Sequence, residues 1–199
     1  MNFKNSVVLF ILFVSFSVKA SFILLPMDET TQQNHLKAYG ITYWCLDKKY
    51  KASWLLNYRG GSFLLPDAEE IRKECQIRGV SFEILSDAET NSILNDISSP
   101  SQNMENVILE KAPKIAVYTP KGKQPWDDAV TMVLTYAEIP FTPIYDEEVL
   151  SDGLLLYDWL HLHHEDFTGQ YGKFFGAYRN TPWYIEQKND AEKLALKLG

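Results

Sequence analysis

A chain of 199 residues holds one domain of ordinary size or two small ones, and 46% hydrophobic residues with 14% aromatics exclude a globally disordered chain. The formal net charge is −7; residues 1–20 carry only Lys4 and Lys19, and taking those two from the 19 basic residues leaves 17 against 26 acidic ones, a net −9. An acidic chain with no basic stripe excludes nucleic acid and anionic membrane surfaces as partners.

The first twenty residues read as an export signal. Lys4 supplies the positive start, Val7 to Val18 the apolar core and Val18-Lys-Ala20 a small-residue cleavage site. The core is shorter than the roughly 20 residues that a membrane span takes, and no cysteine follows it to carry a lipid. The mature chain is expected to begin near Ser21 in the periplasm or outside the cell, with no stable membrane span; an uncleaved anchor is the alternative.

Ser21 to Pro26 is a short apolar run stopped by proline, a first strand. From His35 to Leu46, the residues Leu36, Tyr39, Tyr43 and Leu46 recur at helical spacing, with Gly40 as a weak point. Trp54–Tyr58 and Ser62–Leu65 flank Arg59-Gly60-Gly61, a hairpin signal because tight primed turns need positive φ. Asp67 is the expected N-cap of a helix to Arg78, with Glu70 three residues on and Gly79 after the last turn. Val80–Leu85 alternates as a strand, and Ser86 with Glu89 forms a capping box for a helix through Ile97. Cys45 and Cys75 fall in two of these helices; a disulfide and a pair of buried thiols both fit an exported chain.

Residues 98–103, Ser-Ser-Pro-Ser-Gln-Asn, form a low-propensity linker, and a boundary is expected between 98 and 112. Beyond it the pattern changes. Lys114–Thr119 is a buried strand; Asp127 or Asp128 opens a helix with Val130, Val133, Leu134 and Ala137 on one face. Ile139–Tyr145 is extended, and Leu154–Leu162 is a third strand. Strands alternating with a helix predict βαβ units, a parallel sheet and a right-handed crossover. Thr181-Pro182 is an N-cap with proline at the first helical position, and the helix runs to about Leu198. The expected architecture is α/β: a signal over 1–20, an α+β segment over 21–110, and the first half of a flavodoxin-like parallel-sheet domain over 111–199. That half-domain is expected to be incomplete within these residues.

The chemistry-bearing stretch begins at Tyr157 and ends at Tyr171. Three of the four histidines lie in it, followed by Glu165 and Asp166. Open α/β sheets bind ligands beyond the carboxyl ends of their strands, so His163, His164, Glu165 and Asp166 are the candidate catalytic residues. His161 and His163 share a strand face, and with Glu165 they could hold a divalent metal such as zinc. The competing reading is structural: His161 hydrogen-bonded in the core, and 163–166 capping the next turn. The rings of Tyr171, Phe174, Phe175, Tyr178 and Trp183 suit either a glycan or peptide platform or a satellite core. Pro120-Lys-Gly-Lys123 lacks phosphate-loop spacing, and there is no Gly-x-Ser-x-Gly elbow.

Three stretches together resemble a family of exported bacterial proteins often labelled asparagine synthetase B. They are Leu36-Lys-Ala-Tyr-Gly-Ile-Thr-Tyr-Trp44, Trp54-Leu-Leu-Asn-Tyr-Arg-Gly-Gly-Ser62 and Trp159-Leu-His-Leu-His-His-Glu-Asp-Phe-Thr-Gly-Gln-Tyr-Gly172. Residue 2 is Asn2 where the glutaminase of a true asparagine synthetase has cysteine, and the Ser-Gly-Gly-x-Asp-Ser loop for ATP is missing. The resemblance therefore carries no glutamine-dependent asparagine synthesis. From residue 112 onward the layout is similar to the opening of a class I glutamine amidotransferase-like domain, in which Tyr157-Asp-Trp-Leu160 stands where that fold has Tyr-Asp-Gly-Leu. The similarity implies a site loop at His163–Gly169 and a nucleophilic cysteine on a later strand. The expected function is thus an exported protein with an amidotransferase-like site and an unassigned reaction, acting on an unidentified small molecule. The alternative is a noncatalytic module that binds a glycan or protein of the cell envelope.

Overall fold

The computed structural model describes residues 21–119, 129–162 and 171–198. The fold is mixed α/β, with a five-stranded antiparallel sheet and a three-stranded parallel one. The first sheet contains β1 (Ser21–Leu25), β2 (Ala52–Leu56), β3 (Ser62–Pro66), β4 (Glu83–Ser86) and β5 (Glu105–Leu109), in the order β4-β1-β3-β2-β5. Helices α1 (His35–Asp47) and α2 (Glu69–Arg78) cover one face, and α3 (Asp87–Ile97) covers the other.

This layering explains why β1 and β3 read as unbroken apolar runs rather than alternating ones. Ile23, Leu25, Phe63 and Leu65 pack toward α1 and α2, while Leu24 and Leu64 pack with Leu55, Leu85 and Ile97 on the α3 side. A strand buried on both faces has no polar side to show. Each such leucine or isoleucine stabilises the fold by about 1.5–3 kcal/mol through burial.

Helix α1 turns a different face inward than its large residues suggest. Ala38, Gly40, Ile41, Thr42, Cys45 and Leu46 are buried, whereas Leu36 and Tyr39 are exposed. The small residues win because α1 is packed on two sides, by the first sheet and by α4 (Ala129–Ala137). At Gly40 the α4 backbone comes so close that a Cβ would stand 1.8 Å from the Ala137 carbonyl oxygen. Glu138, just past α4 with φ 58°, then ties three helices together. Its carboxylate pairs with Lys37 of α1 at 2.5 Å and Arg78 of α2 at 3.4 Å. Cys45 and Cys75 are free, fully buried thiols in the core beneath, and burial pushes both up to about 12. They belong to the same hydrophobic cluster, one on α1 and one on α2, and are not bridged.

Local signals hold in some places and shift in others. The Ser86–Glu89 capping box is present: the Glu89 amide donates to Ser86 Oγ at 3.3 Å, and the Ser86 amide donates to Glu89 Oε2 at 2.8 Å. Gly79 takes a left-handed conformation, and Val80 closes the end of α2 by donating its amide to the Cys75 carbonyl at 2.8 Å. Val80 is therefore part of the cap, and the strand starts only at Glu83. Asp67 does not cap α2. Its carboxylate accepts the Ser21 hydroxyl at 2.6 Å and pairs with Arg72 at 3.2 Å, so the N-cap falls to Ala68 without a side-chain bond.

The hairpin also exists, but its turn is longer than two glycines. The last register pair is Leu55–Ser62, and Asn57, Arg59, Gly60 and Gly61 between them all have positive φ. Arg59 anchors this loop: its guanidinium meets Asp28 and Glu83 at 2.9 Å each. The Arg-Gly-Gly sequence is thus the lock of a structural loop. After the 98–103 linker the chain returns to the first sheet as β5, pairing with β2, where the sequence suggested no strand. Tyr43 of α1 then holds the way out, donating its hydroxyl to the Pro113 carbonyl at 2.8 Å.

The second sheet is parallel, as the alternation of strands and helix predicts. It contains β6 (Ile115–Tyr118), β7 (Thr142–Ile144) and β8 (Trp159–Leu162), in the order β7-β6-β8. Pro143 is admitted because β7 is an edge strand, where a missing amide costs least. The third strand is shorter than expected. A 3-10 turn over Gly153–Leu156, preceded by a short helix α5 (Asp146–Leu150), replaces its first residues. Gly153 lies against the Glu148 carbonyl, where a Cβ would be 2.4 Å away, and Asp152 reverses the chain at φ 61°. Leu155 and Leu156 are left in solvent. Beyond β8 come α6 (Tyr171–Tyr178) and α7 (Pro182–Leu198). Pro182 opens α7 as expected, but the Thr181 hydroxyl turns back to the Tyr178 carbonyl at 2.7 Å.

Candidate functional site

The carboxyl edge of the parallel sheet is reached by the ends of β6, β7 and β8. Strand β8 is set against β6 before its first ladder pair. The Asp158 carboxylate accepts from Lys111 Nζ at 2.5 Å and from the Lys114 amide at 2.8 Å, while the Asp158 amide donates to the Lys114 carbonyl at 2.9 Å. From that anchor the register runs Ile115–Trp159, Ala116–Leu160, Val117–His161 and Tyr118–Leu162. The aspartate of the Tyr157-Asp158 pair is therefore a docking residue for the strand.

The Lys111 ammonium, followed by the Lys114 amide, holds the Asp158 carboxyl below its ordinary value. A depressed carboxylate stabilises the fold fully above the unfolded value, about 3.9, and loses that contribution as pH falls through the folded one. Asp158→Asn is accordingly expected to be less stable than the parent at neutral pH. The gap between the two urea midpoints should be wider at neutral pH than at an acid pH below about 3.9, because it closes as the parent's aspartate takes up its proton. A gap of equal size at both pH values would mean that the carboxylate charge is not what docks the strand.

His161 lies half-buried on β8, beside Val117. His163, His164, Glu165 and Asp166 lie outside the described residues, as do the phosphate-loop look-alike at 120–123 and the leader at 1–20. Of the three residues considered for a metal, His161, His163 and Glu165, only His161 is described. Among the described residues no group of three or more histidine, cysteine, aspartate or glutamate side chains could hold an ion.

What the sequence reading did not single out is a polar pair at the same edge. Tyr118, the last residue of β6, donates its hydroxyl to Asp146 Oδ1 at 2.5 Å, and its ring lies 5.1 Å from that of Tyr145. The signal was positional: Tyr118 ends one parallel strand and Tyr145-Asp146 follows another. A phenol held on a carboxylate can orient a ligand hydroxyl or amide beside whatever the β8 loop presents.

Comparison with family profiles, curated proteins and solved structures found no match. Function therefore has to be argued from the site itself.

Of the aromatic run after the loop, Phe175 meets Tyr184 at 6.0 Å, Tyr178 meets Trp183 at 5.4 Å, and Arg179 lies over Phe175 at 5.8 Å. These contacts hold α6 against α7 while Phe175 stays partly exposed. Among the described residues no helix is long and apolar enough to cross a membrane.

Proposed function

We propose that this is an exported protein with an amidotransferase-like site at the carboxyl edge of its parallel sheet, where His163, His164, Glu165 and Asp166 contact the substrate or move protons. One observation carries the reading. The strand order β7-β6-β8 sends the chain from the central strand to one side and then to the other. In sequence terms this is the 2-1-3 order of flavodoxin-like sheets, whose ligands bind where the direction reverses. The segment that follows β8 leaves from that reversal, and the Tyr118–Asp146 pair lies at the same edge.

Chemically, an imidazole beside a carboxylate suits general acid–base work near neutral pH, and such a group contributes about 10²–10⁴-fold to a rate. The reading is tested by ammonia release from glutamine and related amides by the intact protein, with His163→Ala and Glu165→Ala as variants. Each is expected to lose about 10²-fold or more in turnover while keeping its circular dichroism and melting temperature. Amide turnover unchanged in both variants, or absent from the parent protein, would remove the catalytic reading. The noncatalytic envelope-binding alternative would then stand.

A further inference from the structure

At the opposite, amino-terminal end of the parallel sheet lies a cleft of about 530 Å³, walled by α1, the β2–β3 hairpin, β5 and the end of α4. Ile115 and Trp159, the first residues of β6 and β8, close it on the parallel-sheet side. We propose that this cleft binds an uncharged, largely apolar small molecule carrying at least one flat ring.

The volume falls within the range of small-molecule sites, about 300–1,000 Å³. The wall is made of rings and aliphatic side chains. Phe63, itself buried, stands edge-on to Tyr39 at 5.3 Å and stacked with Trp54 at 6.3 Å, which fixes those two rings in the wall. Tyr39 and Trp159 keep 43% and 48% of their surface exposed, so both rings are open to a ligand.

Ligand class follows from what the wall's polar atoms already do. The Thr42 hydroxyl donates to the Ala38 carbonyl at 3.0 Å, the Tyr43 hydroxyl to Pro113 at 2.8 Å, and Trp54 Nε1 to Gly61 at 3.0 Å. At the rim the Lys111 charge is paired with Asp158 at 2.5 Å. A sugar would bury hydroxyl groups against a wall that offers few partners; an anion would meet a rim cation already neutralised, and a cation only the exposed, solvated Glu110 carboxylate, a pairing that adds little. An apolar ring asks for neither.

The test is a fluorescence titration of the intact protein with N-phenyl-1-naphthylamine, an uncharged dye that brightens in apolar sites. Saturable one-to-one binding in the micromolar range is expected. Trp159→Ala and Tyr39→Asp should each weaken it by about tenfold or more, the first by removing a ring and the second by replacing one with a charge. Tyr39 is 43% exposed, so its variant keeps the fold even if the tryptophan variant does not. Non-saturable dye uptake would overturn the proposal, as would equal affinity in the Tyr39→Asp protein. So would tighter binding of chitotriose than of the dye, which would assign the cleft to a glycan.

Discussion

Gly40→Ala is expected to destabilise the protein by about 1–2 kcal/mol net, against the direction set by helix propensity. On an isolated helix the same change would be favourable by about 1 kcal/mol. Here the added methyl would stand 1.8 Å from the Ala137 oxygen and 2.9 Å from its carbon. Both are backbone atoms, which cannot swing aside as a side-chain tip can. Moving α4 away would pull Glu138 from Lys37 and Arg78, and moving α1 would open the core around Ile41 and Cys45. Overpacking of this kind costs about 1–3 kcal/mol and outweighs the propensity gain. Urea unfolding of the two proteins decides the matter: a Gly40→Ala midpoint at or above the parent's would show that the helices separate at little cost.

Gly60→Ala should cost about 3 kcal/mol, from two sources at once. The residue has φ 81°, and a Cβ there would stand 2.3 Å from the Met27 carbonyl oxygen. Positive φ strains an ordinary residue by roughly 1–2 kcal/mol. The crowding adds to it because the segment across the gap is also held: the Met27 amide donates to the Arg59 carbonyl at 3.1 Å, and Asp28 is paired with the Arg59 guanidinium. Asparagine separates the two effects, since it tolerates the left-handed region but still carries a Cβ. Gly60→Asn is expected to fall between alanine and the parent, relieved of the backbone strain but keeping the crowding. Recovery to the parent's value would leave backbone strain as the whole cause.

Much of the secondary structure was legible because its signals are local. The Ser86–Glu89 box, the left-handed Gly79, the proline opening α7 and the apolar runs of β1, β3 and β6 each depend on neighbours within a few residues. The errors share another physical origin. Asp67 was read as a cap because capping is a local rule, yet Ser21, distant in sequence, and Arg72 compete for its carboxylate. Leu154–Leu156 was read as strand because apolar runs do not reveal whether a partner strand is within reach. Leu36 and Tyr39 were read into the apolar stripe of α1 yet stay exposed, whereas Tyr43 packs against the Ile115–Val117–Leu134 cluster and Leu46 is buried, because α1 is packed on two sides.

The candidate site divides in the same way. The run from His161 to Asp166 stood out in sequence because imidazoles and carboxylates are scarce and chemically loud. The Tyr118–Asp146 pair did not, since a tyrosine at the end of a strand becomes informative only when its parallel neighbours are known. The aromatic cleft was equally hidden. Tyr39, Trp54 and Trp159 come from three separate stretches, and they line one wall only after folding.

By itself, the sequence determined the α/β class, the parallel character of the second half and the positions of most helices, since periodicity and capping act over a turn or a strand. Tertiary structure alone decided which face of α1 is buried, where β5 returns and the order β7-β6-β8. It also decided that rings from three distant segments share one cleft. Those outcomes depend on contacts between residues far apart in the chain, whose competition for the same space and the same hydrogen bonds has no local signature.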